Sequence, residues 1–173
     1  MRAAGGFSVR RADLRDALDV LDCLRDAFEP LRSAYTEAAF NDTVPSPVTI
    51  AERLADTAVF VAVSPGGEVL GTIGGRAVGG GEGHLRGMAV RPRAQGSGIA
   101  EGLLEAVEDE LAAGGCTRIT LDTTAPLRRA TRFYERNGYR PSGVVRDFFG
   151  MPLFEYVKAI GEGDVPRGGA AER

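Results

Sequence analysis

The sequence predicts a mixed α/β fold, one sheet carrying helices, and three observations point there. Short apolar segments separated by tight turns read as hairpin strands, the clearest pair meeting at "SPGGE" (64–68). Further on, a strand at His84–Val90, a helix from about Gly98 and a strand at Cys116–Thr123 follow in strand–helix–strand order. Between them, apolar residues recur at helical spacing in segments long enough to cover a sheet. With 173 residues of which 43% are hydrophobic, one domain with a proper core is the expectation.

The elements follow in order. Phe7–Arg11 reads as a short strand and Ala12–Phe28 as a helix, with Leu14, Leu18, Leu21, Leu24 and Phe28 down one side. Pro30 stops that helix. Leu31–Ser46 is loop or short helix, and Pro47–Ala55 a second helix. Strands at Ala58–Val63 and Glu68–Val78 form the hairpin, and "GGGEG" (79–83) leads into His84–Val90. The helix from Gly98 ends at Gly114-Gly115, before the strand Cys116–Thr123. Pro126–Arg136 is another helix, closed by Asn137-Gly138, and strands near Val144–Phe148 and Leu153–Ile160 finish the fold. The domain is expected to span 1–160, and the polar, glycine-rich 161–173 to be a disordered tail.

Composition narrows the chemistry. Net charge is −3, so no broad basic surface points to nucleic acid or anionic lipid. All but one of the 21 basic residues are arginine, the exception being Lys158, which reads as codon bias in an Ala- and Gly-rich chain. One histidine (His84) and two cysteines (Cys23, Cys116) make a tetrahedral metal site improbable, and no metal is expected. A nucleophile–histidine mechanism would have to pass through His84 alone. No stretch is long and apolar enough to span a membrane, and the first residues lack a secretory signal's apolar run; the expectation is a cytoplasmic protein with no membrane association. Both thiols are then reduced, and each reads as a small buried hydrophobe.

The informative stretch is "RPRAQGSGIAEGLLEAVEDEL" (91–111). Gly96, Ser97, Gly98 and Ala100 strip the chain of side chains where a helix begins, and a first helical turn leaves N–H groups unpartnered at the positive end of its dipole. An anion is the natural guest; a glycine-rich turn that merely caps the helix is the plainer reading. The stretch is not a P-loop, having no lysine, and not a dinucleotide fingerprint, since Glu101 stands where the third glycine belongs. In "HLRGMAV" (84–90), Leu85 and Met88 both suit the core face yet are an odd number of positions apart, so alternation slips and a β-bulge at Gly87 is expected; a plain kink is the alternative.

Gln95-Gly96-Ser97-Gly98-Ile99-Ala100 matches Q/R-x-x-G-x-G/A, and the whole resembles the acyl-CoA loop of the GNAT N-acetyltransferase superfamily. "GMAVRPRAQ" resembles the strand and turn before that loop, and "ATRFYERNGYRP" the A-x-x-x-Y-E-x-x-G-[FY] segment after it; the resemblance covers roughly residues 7–160. It implies a mixed, mostly antiparallel sheet with splayed central strands, flanked by helices. It implies acetyl-CoA as acyl donor, the pyrophosphate on the backbone of Gly96, Ser97, Gly98, Ile99, Ala100 and Glu101 beside Gln95, and pantetheine entering the splay beside Met88, Ala89 and Val90. It further implies an N-acetyltransferase acting on a primary amine by direct attack. Tyr134 matches the family's tyrosine, placed near the sulfur as general acid; packing on its helix face is the plain alternative. The backbone N–H of Val90 could polarise the thioester oxygen. Leu127 departs from an asparagine frequent seven positions before the tyrosine, which removes one polar cofactor contact.

Candidates for the base are Asp122, which matches an acidic position in some relatives, Glu82 and His84, with a water chain as substitute. The acceptor, a small-molecule amine or a peptide, would lie between the loop after the first helix (Glu29, Tyr35, Asn41, Asp42) and the last strand turn (Asp147, Phe148, Phe149). A homodimer stays open. Rival readings are an acyl-CoA-binding or regulatory domain that keeps the fold without catalysis, and a nucleotide-binding regulatory domain.

Overall fold

The structure is a computed structural model that describes residues 6–161. The expected disordered tail therefore lies, apart from Gly161, outside the described residues. Seven strands form one sheet in the order β1-β2-β3-β4-β5-β7-β6. They are β1 (Ser8–Arg11), β2 (Ala58–Val63), β3 (Val69–Gly79), β4 (Glu82–Val90), β5 (Arg118–Thr123), β6 (Arg140–Phe148) and β7 (Met151–Ala159). Every neighbouring pair is antiparallel except β4 with β5. Helices α1 (Ala17–Phe28), α2 (Glu37–Thr43) and α3 (Pro47–Asp56) cover one face, and α4 (Ile99–Ala113) and α5 (Arg128–Arg136) the other. The mixed, mostly antiparallel sheet is the one the sequence predicts.

Two apolar layers hold it. On the α4 face Leu103, Leu104, Val107 and Leu111 pack on Ile73, Leu85, Ile119 and Leu121; on the other, Val20, Leu21, Leu24 and Phe28 pack on Val59, Val61 and Val69. Burying a side chain of this size contributes about 1.5–3 kcal/mol. The close approach of α4 explains the glycines of β3 and β4. A Cβ on Gly71 would stand 2.7 Å from Ile99 Cγ2, on Gly75 2.6 Å from Val107 Cγ2, and on Gly83 2.8 Å from Leu111 Cδ1.

The first helix corrects the sequence reading. Leu14 and Leu18 are each 64% exposed, not part of the apolar side. Asp13 and Asp16 form a capping box around a 3₁₀ turn at Leu14–Asp16, so the α-helix begins only at Ala17 and its inward face is Val20, Leu21, Leu24 and Phe28. The expected strand near Val144 starts earlier, at Arg140, because an irregularity between Pro141 and Val145 absorbs the Pro-Ser-Gly sequence on an edge strand. Cys23 and Cys116 are free and buried, as expected, and burial pushes the Cys23 thiol up to about 12.

Candidate active site

The centre of the sheet is parted. Thr72 pairs with Ala89 and Gly74 with Arg86, so one β3 residue faces two on β4, and Gly87 takes φ +65 at the extra position. This is the bulge that the spacing of Leu85 and Met88 demands. The parallel pairing with β5 runs from Glu82↔Arg118 to Leu85↔Leu121 and stops there. Beyond Leu85 the two strands splay. Arg91 donates to Leu70 O at 2.9 Å, and Val90 stands opposite Gly71. Val90 is thus in a non-hydrogen-bonded pair, with its N–H and C=O turned away from β3 into the gap.

The loop before α4 meets the same gap. Gln95 N–H donates to Pro92 O and Gly102 N–H to Gly98 O, while the six N–H groups from Gly96 to Glu101 reach no protein acceptor among the described residues. Gly98, at φ +85, caps α4 without a side-chain hydrogen bond, and Gly96 is at φ +80. Such conformations suit glycine and turn successive N–H groups outward. A cavity of about 480 Å³ runs along this loop, walled by Met88, Ala89, Val90, Gln95, Gly96, Gly98, Ile99, Ala100 and Glu101. Ser97 is not on that wall; its hydroxyl donates to Ala94 O at 2.5 Å and holds the turn.

Two residues that sequence reasoning passed over complete the wall. Arg129 and Arg136 of α5 border the cavity and form no ion pair among the described residues. Arg129 Nη2 stands 3.9 Å from where a Cβ on Gly96 would lie. Their place on the turns flanking Tyr134 was the available signal, hidden by the abundance of arginine.

A second cavity of about 340 Å³ opens on the other side and shares Phe28, Met88, Leu127 and Ala130 with the first. Tyr134 lines it. The residue is 5% exposed and its ring meets Phe133 and Tyr139 edge-on at 5.5 and 5.6 Å; its hydroxyl forms no hydrogen bond among the described residues and is not sealed off, since no buried side-chain polar atom there lacks a partner. Burial pushes its pKa well above the ordinary phenol value, so it keeps its proton. Leu127 packs where the two cavities meet.

His84 and Asp122 face each other across the base of the splay, Nε2 to Oδ2 at 3.5 Å, and both line the second cavity. Arg146 Nη1 approaches Asp122 Oδ1 at 3.4 Å. Burial raises the Asp122 carboxyl, against the pull of His84 and Arg146, and burial lowers His84, against the pull of Asp122. Behind them, Thr120 Oγ1 donates to Glu82 Oε1 at 3.0 Å and lies 2.9 Å from His84 Nδ1. A hydroxyl has one proton to give, so while Thr120 donates to Glu82 its oxygen accepts from His84 Nδ1–H, which leaves Nε2 to share a proton with Asp122. Glu82 is not brought to the cavity. Its carboxylate pairs with Arg118, which holds it below the usual carboxylate range, and it reaches His84 only through Thr120.

Of the expected acceptor region, Tyr35, Asp42 and Phe148 line this cavity, whereas Glu29 pairs with Arg32 at 2.9 Å. Tyr35 hydroxyl and Thr124 Oγ1 are 2.7 Å apart. Thr36 donates to Phe149 O at 2.8 Å, closing the loop after α1 onto the β6–β7 turn. Among the described residues no group of three or more His, Cys, Asp or Glu could hold a metal ion, and no helix is long and apolar enough to cross a membrane.

Comparison with known proteins finds the sequence model of the Acetyltransferase (GNAT) family matching residues 18–139. Among solved structures, the chain is similar to the PaiA N-acetyltransferase of Thermoplasma acidophilum in complex with coenzyme A, with TM-score 0.74, 16% identity, and coverage of 89% of this chain and 99% of that one. It is similar to the ribosomal-protein-S18-alanine N-acetyltransferase of Escherichia coli, with TM-score 0.72, 18% identity, and coverage of 92% and 97%. A GCN5-related N-acetyltransferase from Rhodopseudomonas palustris gives TM-score 0.74 at 19% identity, covering 92% and 99%.

Proposed function

The chain belongs to the acetyltransferase (GNAT) family, and from that premise we propose that it moves an acetyl group from acetyl-CoA to a primary amine by direct attack. One observation carries the reading. Six consecutive unpartnered N–H groups, from Gly96 to Glu101, belong to a loop that, Ser97 apart, borders a cavity, and that cavity meets a second one lined by a protonated, unpartnered tyrosine. The resemblance in fold to a protein captured with coenzyme A supports the same donor.

In this reading the N–H groups of Gly96–Glu101 take the pyrophosphate, with Arg129 and Arg136 adding charge on the opposite wall. The outward edge of β4 at Met88–Val90 pairs with the pantetheine amides as an added strand would. Bound acetyl-CoA supplies the activated acetyl thioester where the two cavities meet. Val90 N–H polarises the acetyl oxygen. Asp122 and His84 receive the proton of the attacking amine; burial raises the Asp122 carboxyl and lowers the His84 imidazole, so their affinities for a proton move toward each other, which suits exchange of one proton between them. Glu82 acts behind them, through Thr120, fixing the His84 tautomer. Tyr134 gives its proton to the departing sulfur. Residues up to 160 form the transferase unit, and the cytoplasm is the proposed location.

The test is thermal unfolding beside thiol release. Acetyl-CoA should raise the midpoint while NAD and ATP leave it unchanged, and thiol release should require an amine. Stabilisation by acetyl-CoA with no amine-dependent release across a panel of amino acids, polyamines and peptides would make the chain an acyl-CoA-binding module. Stabilisation by NAD or ATP alone would make it a nucleotide-binding one.

A further inference from the structure

The acceptor cavity contains an arrangement of charge that the transfer chemistry does not use. Arg53 of α3 and Arg86 of β4 both line it, and between them stands a single carboxylate, Asp42 at the end of α2. Neither arginine is closely bonded to that carboxylate: Arg53 Nη2 is 3.9 Å from Oδ1 and Arg86 Nη2 is 4.0 Å from Oδ2. Arg53 spends one N–H on Asp42 O at 3.0 Å, and Arg86 makes no side-chain hydrogen bond among the described residues. The Arg53 side chain is only 17% exposed, and both burial and the nearby Arg86 disfavour its charge. Two guanidiniums therefore converge on one acid, with positive charge in excess and donors left without a protein acceptor among the described residues.

Position relates this pair to the chemistry. Arg86 lies two residues beyond His84 on β4, and both side chains line the same cavity. Two residues of strand span roughly 6.6 Å, so an amine at His84 and Asp122 leaves a group a few bonds away within reach of Arg86. A guanidinium offers a flat fork of donors that matches a carboxylate in two-point contact.

Resting on the acetyltransferase reading, we propose that Arg53 and Arg86 form a carboxylate subsite, and that the acceptor is a small amino acid whose carboxylate they hold while its amine faces His84 and Asp122. Polyamines and simple alkylamines, which bring only positive charge to two arginines, are then poor acceptors. The cavity suits this size, at about 340 Å³.

The experiment sets each common amino acid beside its α-amide, and aspartate and glutamate beside their diamides, in thiol-release assays with acetyl-CoA. The wild-type protein should use at least one acid about 10- to 100-fold better in kcat/KM than its uncharged counterpart, the range of a charged hydrogen-bonded contact. Arg86→Gln should abolish that preference through KM, bringing the ratio of kcat/KM for acid over amide to about 1; Arg53→Gln should do the same, and the half-exposed Arg86 keeps the test available if Arg53→Gln fails to fold. Equal use of acid and amide by the wild type, or a preference that survives in Arg86→Gln, overturns the subsite while leaving the transferase intact. If no compound releases thiol, the transferase reading fails by itself. The subsite is then read by calorimetry of the same pairs on CoA-loaded protein, where acids that bind no better than their amides overturn it.

Discussion

Replacing Gly98 by valine separates the two things this residue does. Its φ of +85 is a left-handed conformation, and a Cβ there would meet nothing within 4 Å, so no protein atom opposes the side chain. The cost to the fold is backbone strain alone, about 1–2 kcal/mol for an L-residue held in that region. The cost to the ligand is different in kind. Gly98 borders the cavity along the loop, and a branched side chain would stand where the pyrophosphate must approach the N–H row. Acetyl-CoA at about 100 times its dissociation constant should stabilise the wild type by about 2.7 kcal/mol, or roughly 5–10 °C in a domain of this size. Gly115 supplies the control. It sits at the far end of α4 at φ +90, also with nothing within 4 Å of a Cβ. Gly115→Val should lower the midpoint of the free protein about as much as Gly98→Val does. Differential scanning fluorimetry with and without acetyl-CoA should then show the full ligand shift in Gly115→Val and little of it in Gly98→Val. Equal shifts in both variants would refute the assignment of the anion to this loop.

Tyr134→Phe should lower kcat by roughly 10²–10³-fold, as loss of one general acid does. Acetyl-CoA affinity should stay the same, since the ring contacts with Phe133 and Tyr139 are kept; an unchanged kcat would make Tyr134 a packing residue. Gly75→Ala should destabilise the fold by about 1–3 kcal/mol in urea titrations, because its Cβ would lie 2.6 Å from Val107 Cγ2 under α4; an unmoved midpoint would show that α4 is not packed this closely. Asp122→Asn should trade activity for stability with a defined pH dependence. Burial raises the Asp122 pKa above its ordinary 3.8, so ionisation disfavours the folded state and wild-type stability falls as pH rises from about 4 through the raised value. The variant lacks that loss and should gain on the wild type from acid toward neutral pH while kcat drops. His84, lowered by burial, costs stability in the opposite direction as pH falls below about 6.5, and more so in the variant, which lacks the upward pull of the Asp122 carboxylate. Parallel stability curves for the two would refute the raised carboxyl.

The features legible in the sequence are those set by local rules. The bulge at Gly87 follows from the odd spacing of Leu85 and Met88, and the bare loop at Gly96–Ala100 from the absence of side chains before a helical repeat. What stayed hidden depends on register or phase. Leu14 and Leu18 fit a helical stripe, but a 3₁₀ turn capped by Asp13 and Asp16 shifts the phase before α1 begins. The tautomer of His84 is set by Thr120, brought opposite only by the parallel register of β4 and β5. The same register explains why Glu82 ends on Arg118 and away from the cavity. Arg53 and Arg86 come from different elements and meet only across Asp42. Arg129 and Arg136 carried no contrast in a chain whose basic residues are almost all arginine.

Direct attack can be read by mass spectrometry of protein and small-molecule products after mixing the chain with acetyl-CoA carrying a labelled acetyl group. Without an amine, thiol release should stay at the background rate and the protein mass should not change. With an amino acid that serves as acceptor, thiol and labelled N-acetyl product should appear in equal amounts, and Tyr134→Phe should slow both together. A stoichiometric burst of thiol without amine, leaving an acetylated protein, would contradict direct attack and place a covalent step on the chain itself.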